Sequence, residues 1–276
     1  MPELPEVESV ARDLRRAGLM GRQITGLTVR WPKTLDRPSE EEARAALIGA
    51  RVVDVRRRGK FIILELSTGM ALLIHLRMTG QLDVQRADQP LDPHHHLLLG
   101  LDEGEELRFR DTRKFGRWYV VENAAEIVDA LGPEPIDETF TLARFRAMMA
   151  GRSGMLKPLL LNQKFVAGLG NIYVDEALFR ARLHPEQRAD SVDDAGLTAL
   201  FHAMRDVLWE AIGNHGTSLG EGSTNYLSVA GRRGNNKDNL RVFRRTGEPC
   251  PDCGTPIERL IVGQRSSHIC PACQPL

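Results

Sequence analysis

Cys250-Pro251-Asp252-Cys253 and Cys270-Pro271-Ala272-Cys273 close the chain, with 16 residues between the two pairs. They hold all four cysteines of the 276-residue sequence. Two Cys-x-x-Cys pairs at this separation have the spacing of a four-thiolate zinc site. A redox pair or free thiols are the alternatives, and disulfides are disfavoured in a reducing compartment. Four thiolates complete a tetrahedral shell. Such an ion folds a hairpin and keeps no open position for activating water. Residues 241–276 are therefore expected to form a zinc finger with Cys250, Cys253, Cys270 and Cys273 as metal ligands. One arm of its hairpin carries Gly263-Gln264-Arg265.

Upstream of the tail, residues 216–240 are rich in Gly, Asn and Ser with little periodicity, which predicts a long loop. Before it the apolar spacing is helical at 141–149, 155–163, 172–181 and 193–213. Gly168-Leu169-Gly170-Asn171 joins the middle two segments. A glycine-rich connection between helices aims backbone N–H groups and the Asn171 amide at one point, which suits a phosphate. Core packing alone also produces such hairpins. Gly132-Pro133-Glu134-Pro135 marks a linker.

The first half reads as β. Residues 23–31 and 51–57 alternate, 61–66 and 70–76 form a hairpin about Ser67-Thr68-Gly69, and 97–101, 106–110 and 118–121 add short strands. Residues 6–18 form a leading amphipathic helix with Val7, Val10, Ala11 and Leu14 on one face. The fold class is α+β. Its parts are an N-terminal β-sandwich domain at 1–131 with a leading helix, a linker at 132–136, a helical domain at 137–240 and the zinc finger at 241–276.

No run of about 18 apolar residues exists and no cleavable leader is evident, so a soluble cytosolic protein is expected. The 37 basic and 37 acidic side chains cancel, which by itself does not point to nucleic acid. Their placement does more. Arg56-Arg57-Arg58 with Lys60, Arg110 to Arg117, and Arg232 to Arg245 are basic, whereas Asp102-Glu103-Gly104-Glu105-Glu106 is acidic. The expectation is a basic face and an acidic back.

The chain opens Met1-Pro2-Glu3-Leu4-Pro5-Glu6. Removal of Met1 would leave a secondary amine at Pro2, a nucleophile able to form an iminium at a sugar carbon, with the Glu3 carboxyl one residue away to move protons. A Pro- and Glu-rich surface start is the plainer alternative. This opening resembles that of the formamidopyrimidine-DNA glycosylase family. The sister endonuclease VIII type usually opens Pro-Glu-Gly-Pro-Glu, so Leu4 favours the oxidised-purine branch. Lys157-Pro158-Leu159-Leu160-Leu161-Asn162-Gln163 with Gly168 to Tyr173 resembles the family's helix–two-turn–helix element. With the zinc tail, three separated motifs stand in the family's order, and the resemblance covers nearly the whole chain.

The resemblance implies roles for particular residues. Pro2 would attack C1′ of a damaged nucleotide, Glu3 would protonate the sugar ring oxygen, and Lys60 and Arg265 would bind phosphate and assist elimination, completing the catalytic set. His75-Leu76-Arg77-Met78 resembles the family's His-Leu-Gly-Met. His75 would contact phosphate, and Met78 would fill the gap left by an extruded base. Asp111-Thr112-Arg113-Lys114-Phe115-Gly116 resembles Asp-Pro-Arg-Arg-Phe-Gly, with Arg113 pairing the orphaned base and Phe115 wedging the duplex. His94, Arg152 and Asn171 would bind backbone. His94-His95-His96 could also be read as a metal tract. Arg77 replaces a glycine, Thr112 replaces a proline, and Arg233-Gly234-Asn235-Asn236-Lys237-Asp238 departs from the family pattern.

The implied activity is that of a bifunctional DNA glycosylase and AP lyase of base excision repair, acting on 8-oxoguanine and formamidopyrimidines through β,δ-elimination. The implied partner is double-stranded DNA containing an oxidised purine, with no membrane. One structural zinc ion is the implied cofactor, with no catalytic metal or organic cofactor, and the protein is expected to be a bacterial, cytoplasmic, nucleoid-associated monomer. An endonuclease VIII-like enzyme for oxidised pyrimidines and a catalytically silent zinc-containing binder of damaged DNA are the rivals. A cytosolic protein with no DNA role is a third.

Overall fold

The computed structural model describes residues 1–220 and 226–276, so part of the expected 216–240 loop, residues 221–225, lies outside the described residues. The chain divides into two compact units. The first comprises Met1–Asp129 with Asn214–Asn235, the second Ala130–Gly213 with Asn236–Leu276. Two sequence expectations change here. Residues 214–235, assigned to the helical domain, group with the β unit, where Val229 is buried in its core. Residues 132–136, expected as a linker, are packed within the second unit: Gly132 N donates to Gln163 O at 2.9 Å, and Pro133 O accepts from Ala167 N at 2.9 Å.

The first unit opens with helix α1 (Leu4–Arg16), two residues earlier than its apolar spacing indicated. Pro5 falls in the first turn, where its missing N–H has no helical partner to lose. Then follow β1 (Ile24–Val29), β2 (Leu35–Arg37), α2 (Glu40–Leu47), β3 (Val52–Arg58), β4 (Phe61–Leu66), β5 (Ala71–His75), β6 (Gly80–Arg86), β7 (His95–Leu101), β8 (Glu105–Asp111), β9 (Arg117–Val121) and the short α3 (Ala125–Val128). One sheet runs β1-β7-β8-β6 and the other β2-β9-β5-β4-β3, with only the β2–β9 pair parallel. Strand alternation turns Leu27, Leu97, Leu99 and Phe109 of the first sheet and Val55, Ile62, Leu64, Ile74 and Trp118 of the second into one core. Helix α1 adds Val7, Val10, Ala11 and Leu14 to that core. This is the expected sandwich with its leading helix.

The second unit contains α4 (Leu142–Met149), α5 (Leu156–Leu161), α6 (Asn171–Arg180) and α7 (Asp194–Gly213), followed by the hairpin β10 (Glu258–Val262) and β11 (Arg265–Ile269). Phe179, Val242, Ile257 and three of the cysteines form a small core beneath the hairpin. Among the described residues no helix is long and apolar enough to cross a membrane.

Candidate active site and nucleic-acid interface

The chain start is ordered. Pro2 and Glu3 are buried while Met1 is exposed. Glu3 N donates to Glu6 Oε2 at 2.8 Å in a reciprocal capping box that begins α1. One turn further on, Glu8 accepts from Arg57 Nε at 3.0 Å, and Arg57 Nη1 donates to Gly59 O at 3.0 Å. This arginine ties α1 to the turn between β3 and β4, where Lys60 sits 6% exposed. Burial alone would raise the Glu8 pKa, but the Arg57 and Arg12 guanidinium groups more than offset it and hold the carboxyl below its ordinary range.

His75 ends β5 opposite Phe61, with ring centroids 4.8 Å apart. Its Nδ1 accepts from Arg77 N at 3.0 Å, which assigns the ring hydrogen to Nε2. Burial first, then the charges of Arg77 and Lys60, push its pKa down to about 3. At neutral pH it is an uncharged donor. Arg77, standing where the resembled family has glycine, adopts the left-handed φ of 53°. Its departure from the motif therefore keeps a backbone conformation that glycine adopts more readily. Met78 follows, exposed.

Asp111 builds the neighbouring loop. It is fully buried, accepts from the Thr79 hydroxyl, and also accepts from Arg113 N at 3.1 Å and Gly116 N at 2.7 Å. Thr79 lies next to Met78, so one carboxylate joins the Met78 loop to the Arg113–Phe115 loop. Phe115 is exposed, and the Arg113 guanidinium lies 4.8 Å from its ring centroid. Lys114, at φ 59°, places Nζ 4.1 Å from the Trp31 ring centroid. A cation and two large apolar side chains are thus displayed together on a loop pair with a rigid base.

The three histidines do not converge on an ion. His95 Nδ1 accepts from Asp92 N at 3.0 Å, His96 Nε2 bonds Asp111 O at 2.8 Å, and the His94 and His96 rings are 6.4 Å apart. Among the described residues the four cysteines are the only His, Cys, Asp or Glu group placed to hold a metal.

In the second unit Gln163 stitches the α5–α6 connection, its Nε2 donating to Leu161 O and Leu169 O at 2.9 and 2.8 Å and its Oε1 accepting from Gly168 N at 3.0 Å. Asn171, first residue of α6, donates from Nδ2 to Ser266 O at 2.9 Å. It is therefore engaged with the zinc hairpin, beside exposed Arg265. The two-residue turn before Arg265 has Gly263 at φ 55° and Gln264 at φ 62°, the signature of a type I′ hairpin turn. Arg152 is exposed, with its guanidinium 5.5 Å from the Phe165 ring centroid.

Beneath Ser266 lies a network that motif reading missed. Lys157 is fully buried, donating to Asp175 Oδ1 at 2.6 Å and to Ser266 O at 2.7 Å. Asp175 Oδ2 accepts from His268 N at 2.9 Å and contacts its Nδ1 at 3.1 Å. A signal was present: Lys157 shares a helix face with Leu160 and Leu161, and a charge on an apolar face calls for a buried partner. The sulfurs fit a zinc ion. All four Sγ atoms lie within 4.8 Å of one another, with Cys253–Cys270 at 3.4 Å and Cys250–Cys273 at 3.9 Å. A tetrahedral zinc–thiolate shell requires S···S separations of roughly 3.8 Å.

A capped terminus on a β-sandwich, a loop pair displaying Met78, Arg113 and Phe115, and a four-cysteine hairpin stapled to a helical hairpin are the parts that comparison with known proteins places in a class of DNA-repair glycosylases. Family models agree along the chain: the formamidopyrimidine-DNA glycosylase N-terminal domain matches residues 1–118, the H2TH domain of the same glycosylases 131–222, and the zinc finger found in these enzymes and in IleRS 247–276. The formamidopyrimidine-DNA glycosylase of Protochlamydia amoebophila is 47% identical over 99% of both chains. That of Herpetosiphon aurantiacus is 46% identical over 99% of this chain and all of its own. The structure of Lactococcus lactis Fpg with abasic-site DNA superposes with a TM-score of 0.91 at 33% identity, covering 99% of this chain and 100% of that one. The chain belongs to the formamidopyrimidine-DNA glycosylase family.

Proposed function

We propose that this protein is a bifunctional DNA glycosylase and AP lyase of base excision repair that removes oxidised purines from duplex DNA. The observation that carries the chemistry is the ordered chain start: Pro2 and Glu3 are buried at the head of α1, which Arg57 ties to the turn bearing Lys60. With Met1 removed, the Pro2 nitrogen attacks C1′ of an extruded nucleotide. The C1′–N bond breaks and the base leaves. Glu3 protonates the ring oxygen, the sugar opens, and an iminium joins Pro2 to C1′. That iminium withdraws electrons, so the 3′ phosphate and then the 5′ phosphate are lost by elimination, leaving a one-nucleotide gap.

The remaining residues bind and deform DNA. Met78, Arg113 and Phe115 fill the void left by extrusion, with Arg113 facing the orphaned base. Lys60, His75, His94, Arg152, Asn171 and Arg265 meet backbone phosphates, His75 as a neutral donor. A zinc ion held by the four cysteines fixes the hairpin that presents Arg265, and the chemistry uses no second metal and no organic cofactor. The partner is double-stranded DNA with an oxidised purine, met by a cytoplasmic, nucleoid-associated monomer. Complexes of the Lactococcus lactis relative with abasic-site and Fapy-dG DNA support this substrate class.

The test is borohydride trapping on an 8-oxoguanine:cytosine duplex, with the adduct located by mass spectrometry. A covalent adduct on Pro2 is expected, and Pro2→Gly, which leaves a primary amine in place of the secondary one, should weaken trapping; full trapping by that variant would remove Pro2 from its role. No adduct from protein whose N-terminus is confirmed as Pro2, together with cleavage of a thymine glycol duplex, would replace the reading with an oxidised-pyrimidine enzyme.

A further inference from the structure

The segment that returns to the β unit is fastened to the same helix that carries the chain start. On its incoming side Thr217 N donates to Glu6 Oε1 at 2.7 Å, and the other oxygen of that carboxylate accepts from Glu3 N. Gly216, at φ 83°, approaches so closely that an added Cβ would lie 2.9 Å from Glu6 Cγ and Oε1. On its outgoing side Asp13 takes over. This aspartate is 6% exposed and sits in the third turn of α1, where the helix itself needs no acceptor. Its Oδ2 accepts from Ser228 Oγ at 2.6 Å and its Oδ1 from Arg232 Nη1 at 2.9 Å, with Arg16 at 3.2 Å. Asp83 of β6 accepts from Ala230 N at 3.0 Å. Ser218 joins the two sides, donating to Tyr226 O at 2.7 Å and accepting from Gly234 N at 3.0 Å.

A carboxylate buried in a helix costs free energy unless its partners repay the desolvation, and most of the partners here come from residues 228–232. We propose that Asp13 is a positioning residue for base release: it holds residues 226–235 against α1 and thereby fixes the surroundings of the chain start. The inference rests on the glycosylase reading above. It separates the two chemical steps. Expelling a base requires the glycosidic bond to be aligned while a bulky ring occupies the space beside Pro2, so small displacements of the surroundings are costly. An abasic sugar presents no such ring, and its cleavage needs only the amine, Glu3 and the phosphate grip.

The experiment compares single-turnover release of 8-oxoguanine with strand cleavage at a preformed abasic site in the same duplex sequence. Asp13→Ala should slow base release at least about tenfold and leave abasic-site cleavage within roughly twofold of wild type. Arg232→Ala, at a partner half exposed to solvent, should show the same split more weakly, and adding it to Asp13→Ala should have little further effect. Should Asp13→Ala fail to fold, Arg232→Ala and Ser228→Ala carry the test. Equal loss of both activities, or loss of neither, overturns the positioning role. Wild-type protein inactive on both duplexes overturns the parent reading and the inference together.

Discussion

Asp111 in the β unit and Asp175 in the helical unit are both buried to within 2%. Each organises residues proposed to meet DNA, but with different donors. Asp111 gathers a hydroxyl and main-chain N–H groups, two of them only two and five residues downstream. Asp175 gathers an ammonium, a main-chain N–H and an imidazole from residues 18 and 93 positions away. The first joins two loops through neutral donors, so its loss leaves hydrogen bonds unmade but strands no charge. The second is a long-range staple, and its loss strands a charge where water does not reach. The two units therefore hold their functional side chains with unequal tolerance to damage.

The largest break in this comparison is Asp175→Ala. It leaves the Lys157 ammonium buried without its counter-ion and should cost about 3–5 kcal/mol, read by denaturant unfolding. Lys157→Met in the same chain should recover much of that loss; no recovery would mean the ammonium was not the stranded group. Asp111→Ala should cost less, about 1–3 kcal/mol. Amide hydrogen exchange should speed at Arg113 and Gly116 and stay unchanged along β10 and β11. Faster exchange in the hairpin would show that the two devices are not separate. The smallest effect is expected from Arg77→Gly, which relieves a left-handed residue and should stabilise by up to about 1 kcal/mol. It also removes a positive charge beside His75, so the His75 pKa should rise from about 3 toward its ordinary value. With the folded pKa below the unfolded one, His75 makes stability fall as pH drops from about 6.5 toward 3. Arg77→Gly should flatten that fall, and an imidazole titration followed by NMR checks the direction.

Local devices were readable in the sequence and distant ones were not. Asp111 to Gly116 stood out by its resemblance to Asp-Pro-Arg-Arg-Phe-Gly and by an aromatic beside two cations, and the four cysteines because thiolate spacing alone constrains them. The Phe61–Leu66 strand was legible to the residue from its strand formers and the Ser67-Thr68-Gly69 turn. β2, three residues in parallel pairing with β9, had too little periodicity to register. The Ser39–Glu42 capping box of α2 was a readable signal that went unused. Lys157 carried a charge on an apolar face, but its partners could not be named from it, because Asp175 and the Ser266 carbonyl are far away in sequence. The grouping of 214–235 with the β unit was illegible for the same reason, since Thr217 and Ser228 find their carboxylates more than 200 residues upstream.

That excursion also sets an order of events during synthesis. The first unit is not a contiguous stretch: its core lacks Val229, and Glu6 and Asp13 keep their donors within α1 and its cap but lack Thr217, Ser228 and Arg232, until residues 214–235 have been made. At roughly 5–20 residues per second, the sandwich waits some seconds to tens of seconds after Asp129 for its last piece. A nascent chain halted at residue 131 would expose an incomplete N-terminal unit to proteases and chaperones, and a gene fragment ending there should yield little soluble product.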